Sequence, residues 1–283
     1  MEPASSASTA QHRIGNRIMK ITAYRHVEPC WVELGTQDWN SAKHFYCRLF
    51  GWQAEDIPMP EGAYTMLKQA HEDIGAIYQL PTELQQQGVP SHWAVYFAVE
   101  DINHCIEAIS SAGGQLLMGP HEVGCAGKMA LFTDPEGAHF SVWQGVEHPG
   151  AGRKWEANTL CWVELACRQP EEAKIFYPKV FNWQMRRSEN AADFEYTEWF
   201  LNSDSCDEGI GGMLQMTEQW GDVPPHWMIY FSVDDCDLMA CRAAELGGKV
   251  CVPPTDIPNV GRFAVLNDPQ GAVFSIIRLT MAL

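Results

Sequence analysis

The sequence has little positive charge. It contains 19 Lys and Arg against 36 Asp and Glu, which gives a formal net charge of −17 over 283 residues. Nucleic acids and anionic membrane surfaces are bound through basic faces that neutralise phosphate groups. The composition therefore argues against nucleic acid or membrane as a partner.

Long apolar runs and paired cysteines are also missing. No stretch approaches the roughly 18 apolar residues of a transmembrane helix. Ten cysteines occur without a Cys-x-x-Cys pair or a cluster at zinc spacing, and several fall at predicted core positions. Buried thiols of this kind favour a reducing, cytoplasmic location.

The amino-terminal segment shows no periodic pattern. Residues 1–20 are rich in Ser and Ala and lack the apolar core of a signal peptide, so they are predicted to form a disordered tail. Met19 offers an alternative start.

An internal repeat is the strongest feature that is present. The pentapeptide Cys-Trp-Val-Glu-Leu at 30–34 returns at 161–165, and the same landmarks follow each copy in the same order. A repeat of this length defines the architecture before any single residue does. We predict two domains over 21–145 and 158–283, joined by a Pro- and Gly-containing linker over 146–157.

Each half itself contains two similar units. The first half has a strand over 28–34, a helix that Asp38 or Ser41 caps and Gly51 stops, and two strand candidates over 64–68 and 74–80. The order then repeats from a strand over 93–99, with Asp101 as the cap. The pattern predicts four βαβββ units in an α+β fold. It also predicts a loop over 81–90, and a helix in the second half that Pro178 ends early or kinks.

These residues together resemble the vicinal oxygen chelate superfamily, the group of glyoxalases, bleomycin-resistance proteins and extradiol dioxygenases. The likeness rests on the opening strand, the Ala-x-x-Phe-Tyr helix and the late Asp-Pro-x-Gly-Ala turn of each half, and it spans about residues 26–279. It implies two eight-stranded cups with helices outside and a small-molecule pocket inside. The superfamily hosts several chemistries on one scaffold, so the resemblance does not define the reaction.

The resemblance also implies where a metal would be held. Metal-using members place ligands on the first strand of each unit and on the last strand. Those positions fall on residues that are not usual ligands of a divalent metal: Trp31, Ala94, Ser141, Trp162, Met228 and Ser275. We therefore expect no metal and no other cofactor, with glyoxalase I activity disfavoured.

Period-two alternation predicts which side chains line the cups. The side chains that line the first cup include Glu33, Tyr96 and His139. The second cup has Val273 at the position of His139, so this histidine breaks the symmetry between the halves. Glu33, Glu164, His139 and Tyr96 are the candidate catalytic residues, because carboxyls among aromatic rings are poised for acid–base chemistry. The candidate substrate-binding residues are Trp31, His92, Ser141, Trp143, Trp162, His226 and Tyr230.

Three functions are compatible with this lining. The first is a metal-independent enzyme that acts on an aromatic or oxygenated metabolite. The second is a protein that binds a hydrophobic compound unchanged, as bleomycin-resistance proteins do. The third is a lyase or dioxygenase with a displaced metal site made of Glu33, His92 and His139. A small molecule is the expected partner in each case, and a homodimer is possible.

Two further expectations concern the halves. We expect each to have its own core, so that residues 20–145 would fold alone. We also expect chemistry in the first cup, because His139 has no counterpart in the second.

Overall fold

The computed structural model describes residues 20–59, 62–188, 195–202 and 209–280. The predicted tail lies outside this part of the chain apart from residue 20. The two halves follow one plan, and each forms its own mixed sheet.

The first half contains eight strands and three helices. In chain order they are β1 Pro29–Thr36, α1 Trp39–Phe50, β2 Gln53–Pro58, β3 Ala63–Gln69, β4 Glu72–Gln79, α2 Thr82–Gln86, β5 His92–Ala98, α3 Ile102–Ser111, β6 Gln115–Val123, β7 Gly127–Thr133 and β8 His139–Gly145.

The second half repeats this order, with a 3₁₀ turn at Glu218–Trp220 in place of α2. Its elements are β9 Leu160–Cys167, α4 Pro170–Phe181, β10 Gln184–Arg187, β11 Tyr196–Phe200, β12 Gly209–Gln215, β13 His226–Ser232, α5 Cys236–Glu245, β14 Lys249–Ile257, β15 Gly261–Asn267 and β16 Val273–Leu279.

The sheets confirm the predicted α+β architecture of two eight-stranded cups. Their strand orders are β2-β3-β4-β1-β5-β8-β7-β6 and β10-β11-β12-β9-β13-β16-β15-β14. In each sheet the first strands of the two units, β1 with β5 and β9 with β13, pair antiparallel at the centre. The central strands therefore present the cup-lining residues of both units side by side.

Local signals explain where the helices begin and end. The Asp38 carboxylate accepts a hydrogen bond from the Ser41 amide at 3.1 Å, and Asp101 and Asp235 cap α3 and α5 in the same way. Gly51 ends α1 with φ of 75°, a left-handed conformation that glycine adopts without steric cost.

Two local predictions were wrong. The stretch predicted as a loop over 81–90 contains the short helix α2, which begins just after Pro81. Helix α4 continues through Pro178 to Phe181 instead of ending early. Phe176, Tyr177 and Phe181 on this helix are all buried, so tertiary packing outweighs the lost backbone hydrogen bond.

The two faces of each sheet divide as the alternation predicts. Trp93, Val95 and Phe97 of β5 belong to the main core with the helices, whereas Tyr96 and Ala98 belong to a separate cluster on the inner face of the first cup. The second cup has an equivalent inner cluster that includes Met228 and Tyr230.

The expectation of a separate core for each half was wrong. One continuous cluster of buried residues draws on helices and strands of both halves. Phe231 of β13, for example, has its ring centroid 5.2 Å from those of Phe50 and Trp52 and 5.4 Å from that of Trp93. The buried faces of the longer helices belong to this shared core, in which the central strands of the two sheets also contact each other.

Reciprocal hydrogen bonds cross this core. The Tyr46 hydroxyl of the first half donates to Asp268 of the second at 3.2 Å, and the Tyr177 hydroxyl of the second donates to Asp134 of the first at 2.9 Å. Burial raises the pKa of both aspartates above its usual range. Buried polar groups need such partners, so each half satisfies groups of the other.

The connecting segment over 146–157 is packed against the first cup. Ala151 is 1% exposed, and its amide donates to the Cys30 carbonyl at 2.8 Å. The Tyr24 hydroxyl donates to the Ala151 carbonyl at 2.6 Å. We call residues 148–152 the strap, because they cross the tryptophan-lined end of the cup.

Among the described residues, no helix is both long enough and apolar enough to cross a membrane.

Removing one ring from the shared core tests whether the halves unfold together. Phe231→Ala should lower the free energy of unfolding by about 3–5 kcal/mol, because Phe231 is 1% exposed and packs against the other half. Urea denaturation followed by tryptophan fluorescence and by far-ultraviolet circular dichroism should show one coincident transition. The control Val273→Ala, at a side chain that is 42% exposed, should change stability by less than about 0.5 kcal/mol. Two separate transitions, of which only one shifts, would contradict the shared core.

Candidate active site in the two cups

Glu33 lies at the centre of the first cup and is held by two tyrosines. Tyr64 of β3 donates to one carboxylate oxygen at 2.9 Å, and Tyr96 of β5 donates a short hydrogen bond to the other. The Trp31 indole donates in turn to the Tyr64 hydroxyl at 3.4 Å. Both oxygens of the carboxyl group are therefore fixed by neutral donors.

Burial dominates the electrostatics of this group. Desolvation raises the pKa of Glu33 above its usual range, and the hydrogen bonds from Tyr96 and Tyr64 offset only part of that effect. Burial and the nearby carboxylate also raise the pKa of both tyrosines well above the usual range. The tyrosines therefore remain donors, and Glu33 is the member of the group that exchanges a proton first.

The second cup repeats this arrangement around Glu164. Tyr196 donates to Glu164 at 2.6 Å, Tyr230 donates at 2.8 Å, and the Trp162 indole donates to the Tyr196 hydroxyl at 2.8 Å. Desolvation raises the pKa of Glu164 as well. Gly212 makes room for this network, since a Cβ there would lie 1.9 Å from the Tyr196 hydroxyl oxygen.

Tyr64 and Tyr196 were missed by the sequence analysis. They occupy matching strands of the two halves, β3 and β11, and both hydroxyls reach the glutamate of their own cup. A signal did exist, because a tyrosine recurs at the start of the same strand in both repeats. Only the pairing of distant strands shows that its hydroxyl reaches the glutamate.

His139 does not contact Glu33, contrary to the expected partnership. Glu33 is in register with Ala94, and Tyr96 is in register with Ser141, so His139 lies two strands away from Glu33. His139 is an exposed residue whose pKa is lowered by partial burial and by the proximity of His92. The two histidines therefore mark one mouth of the first cup.

His92 and His226 occupy equivalent rim positions. The Nδ1 atom of each lies 2.8 Å from a proline carbonyl oxygen, that of Pro90 or Pro224. Burial lowers the pKa of His226. Both rings are thus held at the entrance of a strand, away from the central carboxyl.

Trp31 and Trp143, predicted to bind substrate, contact the chain itself. The Trp143 indole donates to the His148 carbonyl at 2.8 Å, and the Trp31 ring lies edge-on to the His148 ring at 4.8 Å. Both indoles are buried. The strap therefore covers this end of the cup.

In the second cup a tryptophan packs at the histidine end. Trp220, in the 3₁₀ turn that replaces α2, lies 6.2 Å from the His226 ring. Glu164 is only 5% exposed, whereas Glu33 is half-buried. At the opposite end, Trp155 lies 6.1 Å from Trp162. The two equivalent carboxyls thus differ in access to solvent.

The positions at which the resemblance implies a metal do not fit one. Trp31 and Trp162 use their indoles as donors to tyrosine. Within the described ranges, no three His, Cys, Asp or Glu side chains are grouped so as to hold a metal ion. The displaced set of Glu33, His92 and His139 is therefore not assembled.

Comparison with known proteins assigns the family. The family model for the Glyoxalase/Bleomycin resistance protein/Dioxygenase superfamily matches residues 26–142 and 159–276. The chain belongs to this superfamily, with one family domain in each half. This confirms the resemblance that the repeated motifs carry.

Among curated relatives, "Putative glyoxylase CFP32" of Mycobacterium tuberculosis is 40% identical over 261 residues, which cover 92% of this chain and 97% of the relative. Anthracycline biosynthesis protein DnrV of Streptomyces peucetius is 32% identical over 284 residues, covering 92% of this chain and 96% of the relative.

Among solved structures, the Mn(II)-bound glyoxalase of Novosphingobium aromaticivorans aligns with a TM-score of 0.63 at 16% identity, covering 92% of this chain and 86% of that one. The 2,3-dioxygenase LapB of Pseudomonas sp. KL28 aligns with a TM-score of 0.61 at 13% identity, covering 93% of each chain. At this identity the likeness shows the fold alone.

The raised pKa of Glu164 predicts a pH-dependent contribution to stability. The contribution is fully present at a pH below the pKa of Glu164 in the unfolded chain. It is lost as the pH rises through the raised pKa of Glu164 in the folded protein. Within that window the stability of the wild type should fall relative to Glu164→Gln by about 1.4 kcal/mol per pH unit. Urea denaturation across the pH range measures this difference.

Glu195→Gln provides a control in which the pH dependence of stability should have the opposite sign. Lys174 lowers the pKa of the exposed Glu195, so its small contribution should be lost as pH falls. A pH-independent difference between the wild type and Glu164→Gln would contradict the assignment of a raised pKa.

Proposed function

We propose that the protein is a metal-independent enzyme that carries out proton transfer on an aromatic or oxygenated small molecule. The observation that carries this proposal is the half-buried Glu33 carboxyl, held between the hydroxyls of Tyr64 and Tyr96 on the inner face of the first cup. Metal independence rests on the unsuitable residues at the family's ligand positions.

The chemistry follows from the pKa of the carboxyl group. General acids and bases work best when their pKa lies near the operating pH, and desolvation moves Glu33 in that direction. Deprotonated Glu33 would accept a proton from a carbon next to a carbonyl group. The protonated carboxyl would then return it to another atom of the substrate. Tyr64 and Tyr96 keep the carboxyl fixed throughout.

The first cup is the better candidate for this reaction. Both cups contain the same carboxyl and tyrosine groups, but in the second Trp220 packs beside His226 and against the inner cluster. Glu164 is correspondingly more buried than Glu33. We therefore assign catalysis to Glu33 and a mainly structural role to Glu164.

The class of substrate is supported by the lining and by the names of relatives. Aromatic side chains and tyrosine hydroxyls suit a flat molecule that carries oxygen atoms. DnrV is named for anthracycline biosynthesis, and CFP32 is named as a glyoxylase. Both names are compatible with an oxygenated carbonyl compound.

A binding protein without catalysis is the alternative. The same Trp–Tyr–Glu network holds the inner face of both cups, including the one whose glutamate is only 5% exposed, and this favours a structural role for the network. In that case the first cup would take up a hydrophobic compound and release it unchanged.

Location and assembly form part of the proposal. The nine cysteines in the described part of the chain are free thiols, which supports a reducing, cytoplasmic environment. A homodimer remains our expectation for assembly.

Deuterium incorporation distinguishes the two functions. Purified protein in D₂O would be incubated with the hemithioacetal of methylglyoxal and glutathione, which has a carbon-bound proton next to a carbonyl group, followed by mass spectrometry. Catechol and 1,8-dihydroxyanthraquinone, which have no such proton, would serve as probes of binding alone. An enzyme of the proposed type should exchange a carbon-bound proton of its substrate or convert it. Glu33→Gln should lower that rate by roughly 100-fold or more.

Matched variants locate the reaction. Glu164→Gln should change the rate by less than about threefold if its role is structural. His139→Val should raise KM more than it lowers kcat, because His139 lies at the mouth.

A larger loss from Glu164→Gln than from Glu33→Gln would move the chemistry to the second cup, and a tightly bound but unchanged compound would favour the binding protein. Elemental analysis that finds one metal ion per chain would contradict metal independence.

A further inference from the structure

A cleft lies between the two halves on the helical side of the sheets. Its volume is about 600 Å³, within the roughly 300–1,000 Å³ of small-molecule pockets. It is separate from both cups, since helix α1 of the first half and helix α5 of the second form its walls. The lining residues are Asn40, Ser41, His44, Phe45, Arg48, Arg242, Glu245, Leu246, Pro269 and Gln270.

Two arginines in this cleft have no acidic partner. Within the part of the chain that the structure describes, the side chains of Arg48 and Arg242 make no ion pair or hydrogen bond. In contrast, Arg153 pairs with Glu156, and Arg262 pairs with both Asp237 and Asp256. In a chain with 36 acidic residues, these two exposed guanidinium groups on one cleft are available to bind an anionic ligand.

The internal repeat supplies a control site in the same molecule. The equivalent cleft lies between α4 and α3, where Lys179 replaces Arg48 and Ala108 replaces Arg242. Lys179 donates to the Ser111 carbonyl at 3.3 Å. Lys179 and the three carboxylates of Glu136, Glu171 and Glu172 give this site a net charge of −2. In the first cleft, the two arginines and Glu245 give a net charge of +1.

The control site also contains its own anion. The Glu136 carboxylate accepts hydrogen bonds from the amides of Arg168 at 2.9 Å and Gln169 at 3.2 Å. The neutral Gln270 takes the place of Glu136 in the first cleft, and its side-chain oxygen is buried without a partner among the described residues. The first cleft has therefore lost an internal carboxylate and gained a second guanidinium group.

The one acidic group of the first cleft is engaged locally. A carboxylate oxygen of Glu245 lies 3.8 Å from the thiol of Cys241, one turn earlier on the same helix. The partly exposed Leu246 adds apolar surface beside the charged groups, and only the edge of Phe45, which is 2% exposed, reaches the cleft. The lining thus combines cationic and apolar contacts.

We infer that this cleft binds a small organic anion that carries a carboxylate or phosphate group on an apolar body. Arg48 and Arg242 bind the charged group, and Phe45 and Leu246 contact the body. Because the arginines belong to different halves of the chain, the ligand links the halves and stabilises the folded protein.

Binding of three probes by the full chain tests this inference. Isothermal titration calorimetry would compare benzoate, phenyl phosphate and inorganic phosphate at low ionic strength. At least one aromatic anion should bind about tenfold more tightly than inorganic phosphate, because only the aromatic probes bury an apolar body. The tighter of the two aromatic anions identifies the charged group, and its binding should raise Tm.

Four variants locate the site. Arg48→Gln and Arg242→Gln should each weaken binding by about tenfold or more, since each removes a charge-assisted contact. Glu245→Gln should strengthen binding, a gain that general damage to the fold would not produce. Lys179→Gln, at the equivalent position of the control site, should leave the affinity unchanged.

Three results would overturn the inference: no binding of either aromatic anion, equal losses in Arg48→Gln and Lys179→Gln, or binding that survives both arginine substitutions and is lost in Glu33→Gln. The last result would place the anion in the first cup. The test is independent of the proposed enzyme function, because it measures affinity and not turnover.

Discussion

The hydrogen bonds from Tyr46 to Asp268 and from Tyr177 to Asp134 are the constraint on which the molecule depends. Each aspartate also accepts the amides of its own Asp-Pro-x-Gly-Ala turn, as Asp134 does from Ala138 at 2.9 Å. The aspartate of the repeated motif therefore stabilises the turn between two strands of its own half and also accepts a hydrogen bond from a helix of the other half. Separating the halves would leave these buried groups without partners and expose the aromatic core.

This shared core determines where the functional surfaces lie. Because the shared core uses the outer faces of both sheets, the inner faces of the two cups form separate clusters. Both contain a glutamate between two tyrosines, but the strap packs on the first cup, Trp220 packs beside His226 in the second, and Glu164 is more buried than Glu33. The duplicated carboxyls have similar chemistry and different access, which is the basis for assigning the reaction to Glu33.

Alternation and the repeat predicted much of the fold and part of the site. They placed Tyr96 inward and Trp93 against the helices, because each central strand has two faces of different polarity. The edge strand β2 was not predicted, since all six of its residues are exposed and lack alternation. Tyr64 was missed because its contact with Glu33 depends on strand pairing. The shared core was missed because periodicity shows that a helix face is buried without showing what covers it.

Direct titration of the two cup carboxyls tests the central claim, that burial raises the pKa of the glutamate in each cup. Glutamate labelled with ¹³C at the side-chain carboxyl would be followed by NMR across the pH range in the wild type, Glu33→Gln and Glu164→Gln. Two resonances should titrate above the ordinary range of glutamate, and each variant should lose one of them. If every glutamate titrates within its ordinary range, the cups contain fixed carboxylates, and the proposed proton transfer by Glu33 is contradicted.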